Sequence, residues 1–384
     1  MKVILVAGAR PNFMKIAPLM TAFGKRPRVT SILVHTGQHY DRAMSELFFQ
    51  ELGIPAPDVN LGVGSSTHAV QTAEIMRAFE PVVTAETPDA VIVVGDVNST
   101  VACGLVAVKL GITLVHVEAG LRSFDRTMPE EINRVVCDAI SDILLCSEPS
   151  GVENLRREGV PDRKIRFVGN VMIDTLLRNR DLAERSTILD TLDLRGEQPY
   201  AVVTLHRPSN VDNPDILESI MTVLDYIGRD IPVVFPVHPR TRLRLNDRGN
   251  SASSRSSLKL IEPLGYLDFL KLMAHAQIVM TDSGGIQEET TILGTPCLTL
   301  RENTERPVTV EMGTNRVVGS DPARILAACR AVMAKTASLR SGGKGNRCIP
   351  PLWDGRAAER IADIVLSHGR KKHYEQEHET GGVT

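Results

Sequence analysis

Short runs of β-branched and apolar residues alternate with longer helical patterns along this chain, and that alternation constrains the fold more than any other feature. In the first half the runs are Val3–Ala7, Ser31–His35, Ala90–Val94, Thr113–Val117, Ile143–Cys146 and Ile165–Val168. Between them, Thr67–Thr84 and Thr100–Leu110 space their apolar residues at helical intervals. Near-continuous apolar strands separated by helices predict a parallel sheet covered on both faces, the doubly wound α/β fold. Ligands of such folds bind beyond the carboxyl ends of the strands. The pattern restarts after about residue 198, with Ala201–Leu205, Pro232–Val237, Leu258–Ile261, Ile278–Thr281 and Cys297–Leu300 as strands.

A chain of 384 residues is too long for one ordinary core. The polar stretch Asp181 to Gln198 separates the two halves. The expectation is two Rossmann-like domains facing each other across a cleft, residues 1–185 and 186–354. A C-terminal helix over 355–372, centred on Arg356–His368, is expected to pack back on the first domain, with residues 373–384 as a disordered, charged tail. Arg248–Ser257 and the glycine-bearing Ser338–Asn346 read as surface loops.

Hydrophobic residues at 42% and charged residues at 23% fit a globular protein. A net charge of -2 argues against nucleic acid or an anionic membrane as the main partner. It leaves room for an anionic small molecule, which a few local cations can hold. The six cysteines form no C-x-x-C pair and no zinc-like spacing with histidine; four sit in apolar surroundings and read as small buried hydrophobes, and no metal is expected. The apolar run after Met1-Lys2 ends at Gly8-Ala9-Arg10, too soon for a secretory signal, and no stretch approaches the roughly 18 apolar residues of a membrane span. The reading is cytoplasmic.

Chemistry concentrates at strand ends. Thr281-Asp282-Ser283-Gly284-Gly285-Ile286-Gln287-Glu288-Glu289 follows an apolar strand and opens a helical pattern. Gly284 and Gly285 let backbone N–H groups approach an anion at a helix N-terminus, Ser283 adds a hydroxyl donor, and the acids one turn on can accept ribose hydroxyls. The same run also fits a tight strand-to-helix turn with ordinary capping. Gly8-Ala9-Arg10-Pro11-Asn12-Phe13-Met14-Lys15 places two cations, Arg10 and Lys15, at the edge of the first strand, which suits a diphosphate, although Lys15 alone also fits a surface lysine. Asp96, Glu118 and Glu130 close strands or open helices in the first half. Desolvation there raises carboxyl pKa values toward those useful in proton transfer, while the same residue types also serve as helix caps. His206 and His238 end two successive strands of the second half, His206 beside Arg207, where a phosphate or a reacting oxygen could be met.

Taken in order, these motifs resemble the non-hydrolysing UDP-N-acetylglucosamine 2-epimerases over nearly the whole chain. The blocks are Thr36-Gly37-Gln38-His39, Gly95-Asp96-Val97-Asn98-Ser99-Thr100, His116-Val117-Glu118-Ala119-Gly120-Leu121-Arg122, Pro129-Glu130-Glu131-Ile132-Asn133-Arg134, Gly169-Asn170, the Asp282–Glu289 run and Thr304-Glu305-Arg306-Pro307. The resemblance implies a GT-B type fold, a homodimer, a UDP-sugar substrate held mainly by the second domain, and no redox cofactor. On the matching positions it implies Ser283 and Glu289 for diphosphate and ribose, and Phe269 near uracil. Arg10, His206 and Arg306 would hold phosphates with Lys15 close by, and Asp96, Glu118 and Glu130 would be acid/base groups with Arg134 nearby. It implies inversion at C2 by elimination of UDP and re-addition to a glycal, on a route to a polysaccharide.

The chain departs from many relatives at Arg207-Pro208-Ser209-Asn210, where Arg-Arg-Glu-Asn is common. Some relatives bind a second substrate molecule as an activator near the Gln38-His39 region, which Tyr40-Asp41-Arg42 follows here. The residues leave open an epimerase of a related sugar such as a 2,3-diacetamido uronic acid, a retaining glycosyltransferase, a hydrolysing relative and a catalytically silent UDP-sugar sensor.

Overall fold

The computed structural model describes residues 1–37, 51–194, 198–246, 257–340 and 348–380, and for residues 10, 246, 336–340 and 370–380 the backbone alone. Gln38, His39 and Tyr40–Arg42 therefore lie outside the described residues, as do the loop readings over 248–256 and 341–346. The chain divides into two compact units, Met1–Arg178 with Pro351–Thr384, and Asn179–Pro350.

The first unit carries β1 (Lys2–Ala7), β2 (Thr30–His35), β3 (Val59–Asn60), β4 (Ala90–Val94), β5 (Thr113–Val117), β6 (Ile143–Cys146) and β7 (Ile165–Phe167). They form one parallel sheet in the order β3-β2-β1-β4-β5-β6-β7. All five residues of β4 and of β5 are buried, as expected of central strands covered by helices on both faces. On one face Ile4, Val6, Val34, Val91 and Val93 pack with Ile75, Phe79 and Val83 of the helix His68–Glu86 and with Val101–Ala107 of the helix Asn98–Lys109. Each such side chain contributes about 1.5–3 kcal/mol by leaving water.

The second unit carries β8 (Ala201–Thr204), β9 (Val233–Pro236), β10 (Leu258–Ile261), β11 (Ile278–Thr281), β12 (Cys297–Thr299) and β13 (Asn315–Val317), parallel in the order β10-β9-β8-β11-β12-β13. The two units thus repeat one topology. Two edge strands, β3 and β13, carry no apolar run in the sequence: Val59-Asn60 and Asn315-Arg316-Val317 pair on one side only and need no second covered face.

The last helix, Ala357–Thr380, belongs to the first unit and packs on the helix Arg10–Gly24. Asp174 caps it, accepting from the N–H groups of Ala357 (3.1 Å) and Ala358 (2.8 Å). Buried Trp353 donates its indole N–H to Ser147 O at 2.9 Å. Gly169, at φ +83°, lies so close to the returning chain that a Cβ there would sit 2.0 Å from Leu352 O, so only glycine fits. The helix continues through 373–380, where a loose tail was expected, because no Gly or Pro intervenes before Gly381; residues 381–384 lie outside the described residues. Among the described residues, no helix is long and apolar enough to cross a membrane.

Candidate active site

In each sheet the strand order reverses at one point, between β1 and β4 in the first and between β8 and β11 in the second. Chains leaving neighbouring strands there diverge to opposite faces and open a crevice at the carboxyl ends. The motifs collect at these two points.

In the first unit, β1 runs into the helix Arg10–Gly24, whose start is fixed by Asn12. The Asn12 side chain accepts from the N–H groups of Gly8 (3.1 Å) and Ala9 (2.8 Å) and donates to Val94 O at 3.1 Å, tying the β1 turn to the end of β4. One turn on, Lys15 is buried at 6% exposure and forms an ion pair with Glu118, itself 3% exposed, at the end of β5. Gly95, at φ +69°, closes β4 against this pair: a Cβ there would stand 3.1 Å from Lys15 Nζ and 3.4 Å from Glu118 Oε2. Lys15 is therefore an interior cation facing a carboxylate rather than a surface lysine.

Asp96, one residue on, forms an ion pair with Arg134 and keeps 27% of its side chain exposed. The helix Pro129–Ile140 presents Arg134, which also grips buried Glu131 through Nη2 at 2.6 Å. Burial would raise the Glu131 pKa, but hydrogen bonds from the Ser123 and Phe124 N–H groups and from Arg134 hold it below the ordinary carboxylate value. Glu131 is thus the anchor of Arg134, while half-buried Glu130 stands beside it on the first turn. Asn133 donates to Asp96 O at 2.9 Å. The structure accordingly gathers Lys15, Asp96, Glu118 and Arg134 at one edge, with Glu130 on the adjoining helix. The Arg10 side chain lies outside the described residues.

Glu118 has φ +71°, a left-handed conformation that a residue with a side chain adopts only when its surroundings impose it. Behind it, fully buried His116 places Nδ1 2.7 Å from Asp138 Oδ1 and Nε2 2.8 Å from Gly95 O. Burial alone would lower the His116 pKa, but Cys137 and Asp138 outweigh it and raise the ring well above its ordinary value.

In the second unit, His206 follows β8 and Asp282 follows β11, with His206 Nδ1 3.0 Å from Asp282 Oδ1. Asp282 is fully buried and also accepts from the N–H of Arg207 (3.0 Å) and from Asn210 Nδ2 (3.2 Å). Burial would raise its pKa, yet His206 and the backbone N–H groups of residues 206 and 207 keep it below the usual range. The His206 and His238 rings lie 5.9 Å apart. The divergent Arg207–Asn210 loop thus hangs on Asp282, with Asn210 also reaching Leu300 O at 2.8 Å.

Half-buried Ser283 stands at the N-cap position of the ten-residue helix Gly284–Leu293 without a side-chain capping bond. A Cβ on Gly284 would meet Glu305 Oε1 at 2.6 Å, so a larger residue would have to displace the buried Glu305 carboxylate, and half-buried Gly285 continues the same turn. Two buried ion pairs underlie the turn: Arg306–Glu288 at 2.7 Å and Arg301–Glu305 at 2.8 Å. Glu289, 4% exposed, accepts from the Tyr266 hydroxyl at 3.0 Å. Burial pushes its pKa up to about 7, and the tyrosine bond offsets only part of that. The helix Tyr266–Ala274 that carries Tyr266 also carries half-buried Phe269. His206, His238, Ser283, Gly284, Gly285, Glu289, Arg306 and Phe269 all lie in this unit. The sequence motifs include Gly95 and Asp282 but give neither a role of its own, and nothing in the pattern links Tyr266 to Glu289.

Such a pair of nucleotide-fold sheets, one ending in acids and the other in a Gly-rich turn, is the frame of a nucleotide-sugar enzyme. The model of the UDP-N-acetylglucosamine 2-epimerase family matches residues 21–366, and the chain belongs to that family. A UDP-N-acetylglucosamine 2-epimerase of Methanococcus maripaludis is 40% identical over 377 residues, covering 97% of this chain and 99% of that one. A UDP-2,3-diacetamido-2,3-dideoxy-D-glucuronate 2-epimerase of Pseudomonas aeruginosa is also 40% identical, covering 95% and 99%. The crystal structure of the Methanocaldococcus jannaschii UDP-GlcNAc 2-epimerase in complex with UDP-GlcNAc and UDP matches with a TM-score of 0.87 at 40% identity, over 96% of this chain and all of that one. The two-sheet architecture is therefore that of the GT-B-like epimerases.

Proposed function

We propose that this protein is a non-hydrolysing UDP-N-acetylglucosamine 2-epimerase that interconverts UDP-N-acetylglucosamine and UDP-N-acetylmannosamine. The observation that carries the reading is the buried Lys15–Glu118 pair packed on Gly95 beside the Asp96–Arg134 pair. Two carboxylates with separate cationic partners stand at one sheet edge, as a reaction needs that removes a proton from one face of a carbon and returns it to the other.

A carboxylate takes the C2 proton, the C1–oxygen bond to UDP breaks with its electron pair leaving on the diphosphate, and a glycal remains. A second carboxyl group, which must enter the cycle protonated, then delivers its proton to C2 from the opposite face while the UDP oxygen re-forms its bond to C1, and proton exchange with solvent resets the two acids. Atoms and charge balance, and no electron leaves the system, so no redox cofactor is called for. Because C2 is weakly acidic, stabilising departing UDP matters as much as the base. His206, the Ser283–Gly285 turn and Arg306 are assigned to the diphosphate, with Arg10, Lys15 and His238 in support; Glu289 takes the ribose and Phe269 the uracil. Asp96, Glu118 and Glu130 are the acid/base set, with Arg134 orienting Asp96. The enzyme is read as a cytoplasmic homodimer, which light scattering on the purified protein tests.

Incubation with UDP-N-acetylglucosamine in heavy water is the direct test. Deuterium should enter C2 without any acceptor sugar, and D96N or E118Q should lower the rate by orders of magnitude with UDP affinity kept. A wild-type protein that incorporates no deuterium, or near-normal rates in both variants, refutes the assignment. The equally similar Pseudomonas relative favours one second reading, a 2,3-diacetamido uronic acid substrate, and running the exchange on both UDP-sugars separates them.

A further inference from the structure

We infer that His116 is a positioning residue for the reaction, a buried ring that locks the Asp96-bearing and Glu118-bearing segments to one carboxylate; this rests on the epimerase reading. Its ring is wholly buried and touches no surface that a substrate could reach. Nε2 lies 2.8 Å from Gly95 O, and a carbonyl can only accept, so this nitrogen carries a proton. Nδ1 lies 2.7 Å from Asp138 Oδ1. The other Asp138 oxygen accepts from the Gly120 N–H at 2.9 Å and from Arg122 Nη1 at 2.7 Å. Arg122 in turn pairs with Glu158 at 2.7 Å, and Cys137 is the remaining titratable group facing the ring.

The two reacting segments hang on this hub. Asp96 follows directly on the carbonyl that His116 holds, and Asn133 holds the next carbonyl, Asp96 O, at 2.9 Å. Glu118, at φ +71°, lies midway between His116 and Gly120, both bonded to Asp138, while its own N–H and that of Ala119 donate to Leu145 O at 3.0 and 3.1 Å. Gly120 is held on its other side by Asn154, whose Nδ2 donates to Gly120 O at 2.9 Å. Through one imidazole, the end of β4 and the turn after β5 keep a fixed relation. A shift of about 1 Å between acid and carbon can cost about 100-fold in rate.

The two nitrogens can be tested separately. H116Q sets an amide nitrogen near the Nε2 position and keeps the bond to Gly95 O; H116N sets one near Nδ1 and keeps only Asp138. Turnover, KM, the pH profile of kcat, UDP affinity and the folded fraction are measured on both, with C2 deuterium exchange by the wild type as the control. H116N should lose about 100-fold in kcat, with KM and UDP affinity within about twofold and a displaced pH profile, while H116Q stays within about tenfold of wild type. If both variants keep near-normal kcat, or if the loss follows the folded fraction with the profile unmoved, the inference is overturned. Should H116N fail to fold, H116Q decides alone: a lowered kcat with a displaced pH profile and UDP affinity kept supports the role, while a wild-type kcat and profile, or a loss that follows the folded fraction, overturns it. A wild type without C2 exchange instead sinks the epimerase reading, and is seen before any variant is compared.

Discussion

Replacing Glu289 by Gln should make the second unit more stable, and the gain should depend on pH in a set way. Glu289 is 4% exposed, and its carboxyl moves from an ordinary value of 4.5 to about 7. Such a group binds its proton about 3 kcal/mol more tightly in the folded chain than in the unfolded one. The folded pKa is raised, so this stabilisation is fully present below pH 4.5 and is lost as pH rises through about 7. Gln keeps the shape and the acceptor for the Tyr266 hydroxyl but carries no charge to desolvate. The variant should therefore equal wild type below pH 4.5 and exceed it by about 3 kcal/mol at pH 8. Urea unfolding across that range, followed by circular dichroism, measures the difference. Fluorescence of the sole tryptophan, Trp353, reports the first unit and should not change. Parallel stability curves for the two proteins between pH 5 and 8 would refute the reasoning.

Three further substitutions test the packing around the two sites. K15M removes the buried cation that faces Glu118 and should destabilise the first unit by roughly 3–5 kcal/mol by Trp353 fluorescence, with turnover lost as well. G284A drives a methyl to 2.6 Å from Glu305 Oε1 and should weaken UDP binding at least about tenfold in calorimetry, leaving the Trp353 transition in place. G120A meets both a φ of +81° and Gly151 O at 2.2 Å, and should cost more than about 3 kcal/mol of first-unit stability in the same unfolding assay.

The central strands were legible because both their faces are covered. Ala90–Val94 and Thr113–Val117 carry no polar face, and the structure uses those bounds unchanged. Val59–Asn60 and Asn315–Val317 were not, because an edge strand of two or three residues needs only backbone partners, and backbone pairing leaves no mark on composition. At the site, a rule as simple as charge at a strand end brought out Asp96, Glu118 and His206. What the pattern could not carry is which charge meets which. The pairing of Lys15 with Glu118 spans 103 positions, and that of Arg134 with Asp96 spans 38. Such choices depend on three-dimensional contact, to which periodicity is blind.

The first unit is assembled from two stretches of chain, Met1–Arg178 and Pro351–Thr384, with the whole second unit threaded between them. During synthesis the ribosome must therefore finish residues 179–350 before Trp353, Leu352 and the last helix can reach their places against Ser147, Gly169 and Asp174. Until then the acid-bearing sheet waits without its closing helix while the later-made unit already has every strand it needs. A chain truncated near residue 350 would therefore keep every strand of both sheets yet lack the segment that closes the first unit, so a change at the end of the chain is felt at its beginning.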